Sequence, residues 1–238
     1  MSASPAVSPS KGEAVRTMFT RIARRYDLMN SLMTGGRHHA WRRRVAEGAA
    51  GTPTGPVLDL ATGTADLALA VRARTPGRFV TGADFSEGML RVGQAKLRQR
   101  HVDRVELLVA DALALPFRDG AFACVMSAFL LRNLEDLGRG LAEMRRVTAR
   151  GGRVITLDIV RPAQPLWGTV FGAYFNHVVP AIGAFVAGDR QAYTYLPQSV
   201  DSFVTPDELA ELMEDVGLRD VTYRRFGLRT IALHIGIA

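Results

Sequence analysis

The stretch Val57-Leu58-Asp59-Leu60-Ala61-Thr62-Gly63-Thr64-Ala65-Asp66 turns a short apolar run sharply through small residues. A second run, Phe79-Val80-Thr81-Gly82-Ala83, delivers the carboxylate of Asp84 at its C-terminal end. At the strand ends of an open α/β sheet, this pair sets a close-approach loop beside an acid able to accept ribose hydroxyls. It points to an adenosine-containing cofactor. What the loop lacks narrows the choice. A dinucleotide pyrophosphate wants three spaced glycines, so that backbone and helix N-terminus can touch the phosphates, and here only Gly63 is present. No Walker lysine-serine pair follows either. A cofactor without phosphates, S-adenosylmethionine, fits best, and no metal is called for.

The elements that must position these residues can be read on either side of them. Asp66 to Arg74 has helical character, and Ser86-Glu87 opens a helix running to about Arg100. Arg104 to Ala110 reads as a third strand ending in Asp111-Ala112, Phe122 to Ser127 as a fourth, and Val154 to Ile159 as a fifth after a helix over Glu135 to Ala149. Thr205-Pro206 starts a last helix, and closing strands are expected around Val221 to Phe226 and Thr230 to Ile237. Alternating strands and helices predict an α/β fold, a mostly parallel Rossmann-like sheet covered on both faces. Residues 161–202 interrupt this order with a stretch rich in aromatic residues and glycine. Leu166 to Gly188 is apolar enough to raise a transmembrane question, but Asn176, His177 and Pro180 stand at its centre. A lid with apolar walls over a hydrophobic substrate is the better reading, and a plain structural insertion the blander one.

A chain of 238 residues with 47% hydrophobic content suits one domain with an elaboration. Residues 1–12 read as a tail without signal-peptide character, and 13–238 as the folded unit. The lone cysteine, Cys124, lies in an apolar run and reads as a buried thiol in a reducing cytoplasm. The whole +7 net charge resides in residues 11–44, where nine Lys or Arg face only Glu13 and Asp27. Val15, Met18, Phe19, Ile22, Tyr26, Met29 and Met33 make an apolar helix stripe in the same segment, followed by the cationic run Arg37 to Arg44 around Trp41. A helix packed on the domain with a solvated basic face explains this, and so does peripheral attachment to an anionic membrane. No nucleic-acid module accompanies the charge, so nucleic acid is not expected as a partner.

From about residue 13 to its end the chain resembles the ubiquinone/menaquinone biosynthesis C-methyltransferases. Phe19-x-x-Ile-Ala-x-x-Tyr26-Asp27-x-Met29-Asn30 with Gly36-x-His38-x-x-Trp41 carries the match first, then Ala114-Leu115-Pro116-Phe117 and Ser127 through Leu131-Arg132-Asn133. Asn176-His177-Val178-Val179-Pro180, Gly188-Asp189, Tyr193-x-Tyr195-Leu196 and Ala232-Leu233-His234-x-Gly236 complete it. The resemblance implies a seven-stranded sheet with the last strand antiparallel. It also implies cofactor contacts at Thr64, Asp84, Asp111, Ala112 and Ser127, beside Gly63 of the loop. Asp111 would read the adenine amino group, and Thr64 and Ser127 would flank the methionine end. The plain alternative for Asp84 and Asp111 is strand-end capping.

The implied reaction moves a methyl group to a ring carbon of a polyprenylated quinol, with demethylmenaquinol favoured. A phenolic hydroxyl titrates near ~10, so a base or an oxyanion donor must help to populate the phenolate. His177, a titratable group in an apolar lid, is the candidate base. Arg132 and Asn133 are candidates to hold the quinol oxygens, and Asp158, at the end of the fifth strand, to orient a base or water. Thr62 and Ala65 stand where the family usually has glycines, Leu130 replaces another, and Asp158 replaces a glutamate. A methyltransferase for a different small apolar acceptor and a non-catalytic cofactor-binding protein are the alternatives. The sequence leaves open whether the chain acts as a monomer or a homodimer.

Overall fold

The computed structural model describes residues 10–161, 172–174, 178–182 and 190–238. The Ser10 side chain accepts from the Glu13 amide while Glu13 accepts from the Ser10 amide, a reciprocal cap that starts helix α1 (Lys11–Ile22). Residues 10–12, expected in the tail, thus belong to the fold. The apolar stripe does not run along one helix, because a 3-10 turn over Ala23–Arg25 separates α1 from α2 (Tyr26–Thr34). Even so, Val15, Ile22 and Met29 are buried, and Met18, Phe19, Tyr26 and Met33 half-buried. Gly35 and Gly36, at φ 55° and 75°, then turn the chain into α3 (Arg37–Ala50).

The alternation expected downstream follows as β1 (Val57–Leu60), α4 (Asp66–Arg74), β2 (Val80–Asp84), α5 (Glu87–Gln99), β3 (Val105–Val109), β4 (Phe122–Ala128), α6 (Leu137–Val147) and β5 (Thr148–Ile159). After residues 160–178 come α7 (Val179–Ile182), α8 (Arg190–Asp201), α9 (Pro206–Asp215), β6 (Arg219–Phe226) and β7 (Ile231–Ile237). The sheet order is β3-β2-β1-β4-β5-β7-β6. β1 to β5 pair in parallel, and β7 enters between β5 and β6, antiparallel to both.

Covering both faces makes the central strands continuously apolar rather than alternating, and β1 is buried at every position. Leu58, Leu60, Val125 and Val154 pack on one side with Leu141 and Met144 of α6 and Leu209 and Met213 of α9. Val57, Cys124, Met126 and Ile155 pack on the other with Val45 and Ala49 of α3 and Leu67 and Val71 of α4. Cys124 is a free, buried thiol, and desolvation pushes its pKa up to about 12. Among the described residues no helix is long and apolar enough to cross a membrane. Most of Leu166 to Gly188, His177 included, lies outside the described residues.

Candidate active site

Strand order reverses between β1 and β4, which opens a crevice at their C-terminal ends. Gly63, Asp84 and Phe85 line it from one side and Ala128, Phe129 and Leu130 from the other, while Val15, Phe19 and Tyr26 of the N-terminal helices lie over it. Asp84 Oδ2 accepts from the Gly63 amide and Oδ1 from the Ser86 amide, each at 2.8 Å. A carboxylate has about four lone-pair sites, so acceptor capacity remains for a ribose hydroxyl. Burial raises the Asp84 pKa to about 6, against the pull of those amides. Burial also pushes Asp59, one strand over, up to about 7, although the Thr62 hydroxyl donates to it at 2.6 Å.

The unusual loop residues do not narrow this crevice. Ala65 holds a left-handed φ of 67°, a strained position for a residue with a Cβ. That Cβ faces α5, where one built on Gly93 would approach it to 3.2 Å. Thr62 is occupied with Asp59, and neither residue lines the crevice. Leu130 does line it, with an ordinary right-handed backbone (φ −91°, ψ −53°) that needs no glycine.

The expected cofactor residues are not all drawn together. Gly63 and Asp84 line the crevice. Ser127 is fully buried at the end of β4, with no hydrogen-bond partner for Oγ among the described residues. Ala112 is buried, whereas Asp111 is exposed and caps its own turn by accepting from the Leu113 amide at 2.9 Å. Thr64 belongs to a different arrangement. Its hydroxyl donates to Asp27 at 2.6 Å and accepts from Lys96 at 2.9 Å. Lys96 also bridges Asp27 and Asp66, both at 2.6 Å, and Arg42 pairs with Asp66 at 3.1 Å. This network ties α2 and α3 to the cofactor loop and to α5.

A larger cavity of about 230 Å³ adjoins the crevice. Phe19, Tyr26, Phe129 and Asn133 line both. Met18, Ile22, Met33 and Trp41 supply apolar wall from the N-terminal helices, Ile159 and Ile231 from the sheet, and Tyr174, Tyr195 and Leu196 from the described part of the insertion. Arg132 and Asn133 reach it from a 3-10 turn after β4, Leu131–Asn133. Arg132 Nη1 donates to the Phe129 carbonyl at 2.9 Å and to Asp158 at 2.6 Å, a buried ion pair. Asp158 therefore braces Arg132 and is not among the cavity-lining residues. Asn133 Nδ2 donates to the same carbonyl at 2.9 Å.

His38 and Arg42 change the reading of the basic run. Both are buried, His38 in the cavity wall and Arg42 against Asp66, so only part of Arg37 to Arg44 forms a solvated face. Asn30, His38 and Tyr195 are cavity residues that the sequence reading did not single out for chemistry. His38 was visible only as a member of the Gly-x-His-x-x-Trp stretch.

The sequence profile described as the ubiE/COQ5 methyltransferase family matches residues 7–238. The chain belongs to the ubiE/COQ5 methyltransferase family. Within that family it is 43% identical to a demethylmenaquinone methyltransferase of Thermus thermophilus, over 92% of this chain and 99% of the relative. It is 41% identical to a ubiquinone/menaquinone biosynthesis C-methyltransferase UbiE of Desulfotalea psychrophila, over 96% and 92% respectively. The fold of this family member is similar to that of a SAM-dependent methyltransferase from Aquifex aeolicus, with a TM-score of 0.64 at 17% identity over 89% of this chain and 98% of that one.

Proposed function

We propose that the chain is an S-adenosylmethionine-dependent C-methyltransferase acting on the ring of a polyprenylated quinol, demethylmenaquinol being the acceptor best matched by its relatives. One observation carries the reading: an apolar, aromatic cavity opens onto the β1/β4 crevice, and the two share the walls Phe19, Tyr26, Phe129 and Asn133. The crevice residues suit the cofactor. Asp84 keeps acceptor capacity for ribose hydroxyls beside the Gly63 amide, Gly63 at φ 57° presents bare backbone, and the Ser127 hydroxyl is buried without a partner among the described residues. When bound, S-adenosylmethionine supplies an electrophilic methyl group on a positively charged sulfur.

The remaining work falls to side chains. The shared walls align a flat ring against the crevice, and alignment alone can supply a large part of the rate. Ionising the hydroxyl beside the reacting carbon pushes electron density onto that carbon. Arg132, braced by Asp158, places a cation at the cavity to hold the resulting oxyanion, and Asn133 stands at the boundary of the two spaces. His177 as the base rests on the sequence alone.

A membrane-borne acceptor also fits the outer surface. Leu28 and Leu32 point outward one helical turn apart on α2, 53% and 47% exposed, and Leu228 at the cavity rim is 60% exposed. Exposed Arg24, Arg25, Arg43 and Arg44 accompany them on the N-terminal segment. These features support peripheral contact with an anionic leaflet from the cytoplasmic side. Deleting the gene in its host tests the reaction: demethylated quinone should accumulate in lipid extracts and disappear on complementation. An unchanged quinone profile would sink the proposal.

A further inference from the structure

His38 carries an unused acceptor in the cavity wall. Thr34 Oγ1 donates its single proton to the Asn30 carbonyl at 2.7 Å. Its 2.8 Å contact with His38 Nδ1 must then be donated by the ring, which puts the imidazole proton on Nδ1 and leaves a lone pair on Nε2. His38 is 1% exposed, and Nε2 has no hydrogen-bond partner among the described residues. Burial, then Arg42 and His39, holds the pKa down to about 4, so the form with a proton on both nitrogens is not populated at neutral pH.

Asn133 stands in the same condition. Its Nδ2 is committed to the Phe129 carbonyl, and its Oδ1 is buried without a donor among the described residues. Two more lining residues, Arg132 and Asn30, carry donors, Nε and Nδ2, that have no partner among the described residues. Residues that carry unmet acceptors and unmet donors around one apolar cavity suit two hydroxyls, since each donates one hydrogen bond and accepts others. A ring with two carbonyls could use the donors but would leave both acceptors buried and unmet, which costs about 1–3 kcal/mol per group.

Resting on the quinol methyltransferase reading, we propose that His38 Nε2 takes a hydrogen bond from a ring hydroxyl of the acceptor, so that the cavity selects the hydroquinone over the quinone. Because Asn133 lines the methyl-donor crevice and His38 does not, His38 takes the hydroxyl farther from the reacting carbon, which keeps its proton while the nearer one ionises.

The test uses the full chain and two probes, a 1,4-naphthohydroquinone bearing one short prenyl group, kept reduced, and the matching naphthoquinone. Dissociation constants are measured for both, together with methyl transfer to the hydroquinone. The wild type should bind the hydroquinone about tenfold or more tightly over the quinone. His38→Leu and His38→Asn should lose most of that preference while binding S-adenosylmethionine normally. His38→Gln, whose Oε1 can replace the Nε2 lone pair, should keep most of it. Equal wild-type affinities for the two rings would overturn the proposal, as would an undiminished preference in whichever of the Leu and Asn variants folds. A wild type that shows the His38-dependent preference yet transfers no methyl group would instead remove the functional reading alone.

Discussion

Asp84 couples cofactor capture to protonation. Its oxygens already accept two amides, and burial keeps its pKa near about 6. Ribose hydroxyls donate best to the charged form, so affinity for S-adenosylmethionine should strengthen as pH rises through about 6 and level off above it. Titration calorimetry between pH 5 and 8 reads this directly. Asp84→Asn should weaken binding by roughly ten- to a hundredfold and flatten the profile, and a profile in the variant matching the wild type would show that another group titrates. Arg132 depends on a neighbour in a different way. Removing Asp158 by mutation to Ala leaves a buried guanidinium without its counter-charge, which should cost about 3–5 kcal/mol in urea unfolding. The paired change Arg132→Met with Asp158→Leu should recover much of that stability but no methyl transfer. A stable, fully active double variant would dismiss Arg132 from the chemistry.

The N-terminal helices are where cofactor loop and acceptor cavity meet. Lys96 holds Asp27 of α2 and Asp66 of α4 together, and Thr64 joins them. Lys96→Met should destabilise the protein by about 1–2 kcal/mol, below the cost of breaking a fully buried pair because Asp27 is partly solvated, since it leaves Asp66 with Arg42 alone and Asp27 without its cation. It should also raise the acceptor KM more than the cofactor Kd, because α2 walls the cavity; equal effects on both would mean that the network serves only folding. Much of the donor half could be read from the chain. The Val57 to Asp84 loop and strands announce themselves by local apolar runs, and Ser86, Asp136 and Thr205 cap helices by local hydrogen bonds. Of the acceptor half only Arg132 and Asn133 could, because the rest of its lining comes from distant stretches: Asn30, His38, Tyr195 and Gly227 meet them only after folding. His38 and Arg42 lie within a run of cations that reads as a wet surface, yet a buried aspartate partner for Arg42 and the turn at Gly35-Gly36 bring that face inward. Thr64 is the converse case, where motif position suggested the cofactor and the fold spends the hydroxyl on an ion network.

Across the whole molecule, buried aspartates and buried histidines pull stability in opposite directions with pH. Free aspartate titrates near ~3.9, whereas Asp59 and Asp84 are raised to about 7 and about 6. In that window the folded protein keeps protons that the unfolded chain has lost, which lowers stability as pH rises from about 4 to 7. His38, held down to about 4, and His234, also lowered by burial, take up protons only on unfolding and oppose this trend up to about pH 6.5. Asp66, Glu143 and Glu208 are lowered and oppose this on the acid side, their contribution being lost as pH falls through their folded values. Urea midpoints for the ligand-free protein should therefore change little between about pH 4 and 6 and fall between about 6 and 7, and a midpoint still climbing from about pH 6 to 8 would contradict the buried-aspartate account. At the surface, sedimentation with anionic vesicles should retain the protein at low salt and release it at high salt. Leu28→Ser with Leu32→Ser should reduce retention several-fold, and unchanged retention would move the contact elsewhere. The sharing of the cavity between α1, α2, α3 and the β6–β7 turn has one more consequence. The strands and loop that would hold the methyl donor, residues 57–128, form one unbroken stretch, while most of the acceptor's wall comes from either side of it. A lineage can then exchange one acceptor for another by rewriting the flanks of its gene, leaving the central stretch under undisturbed selection.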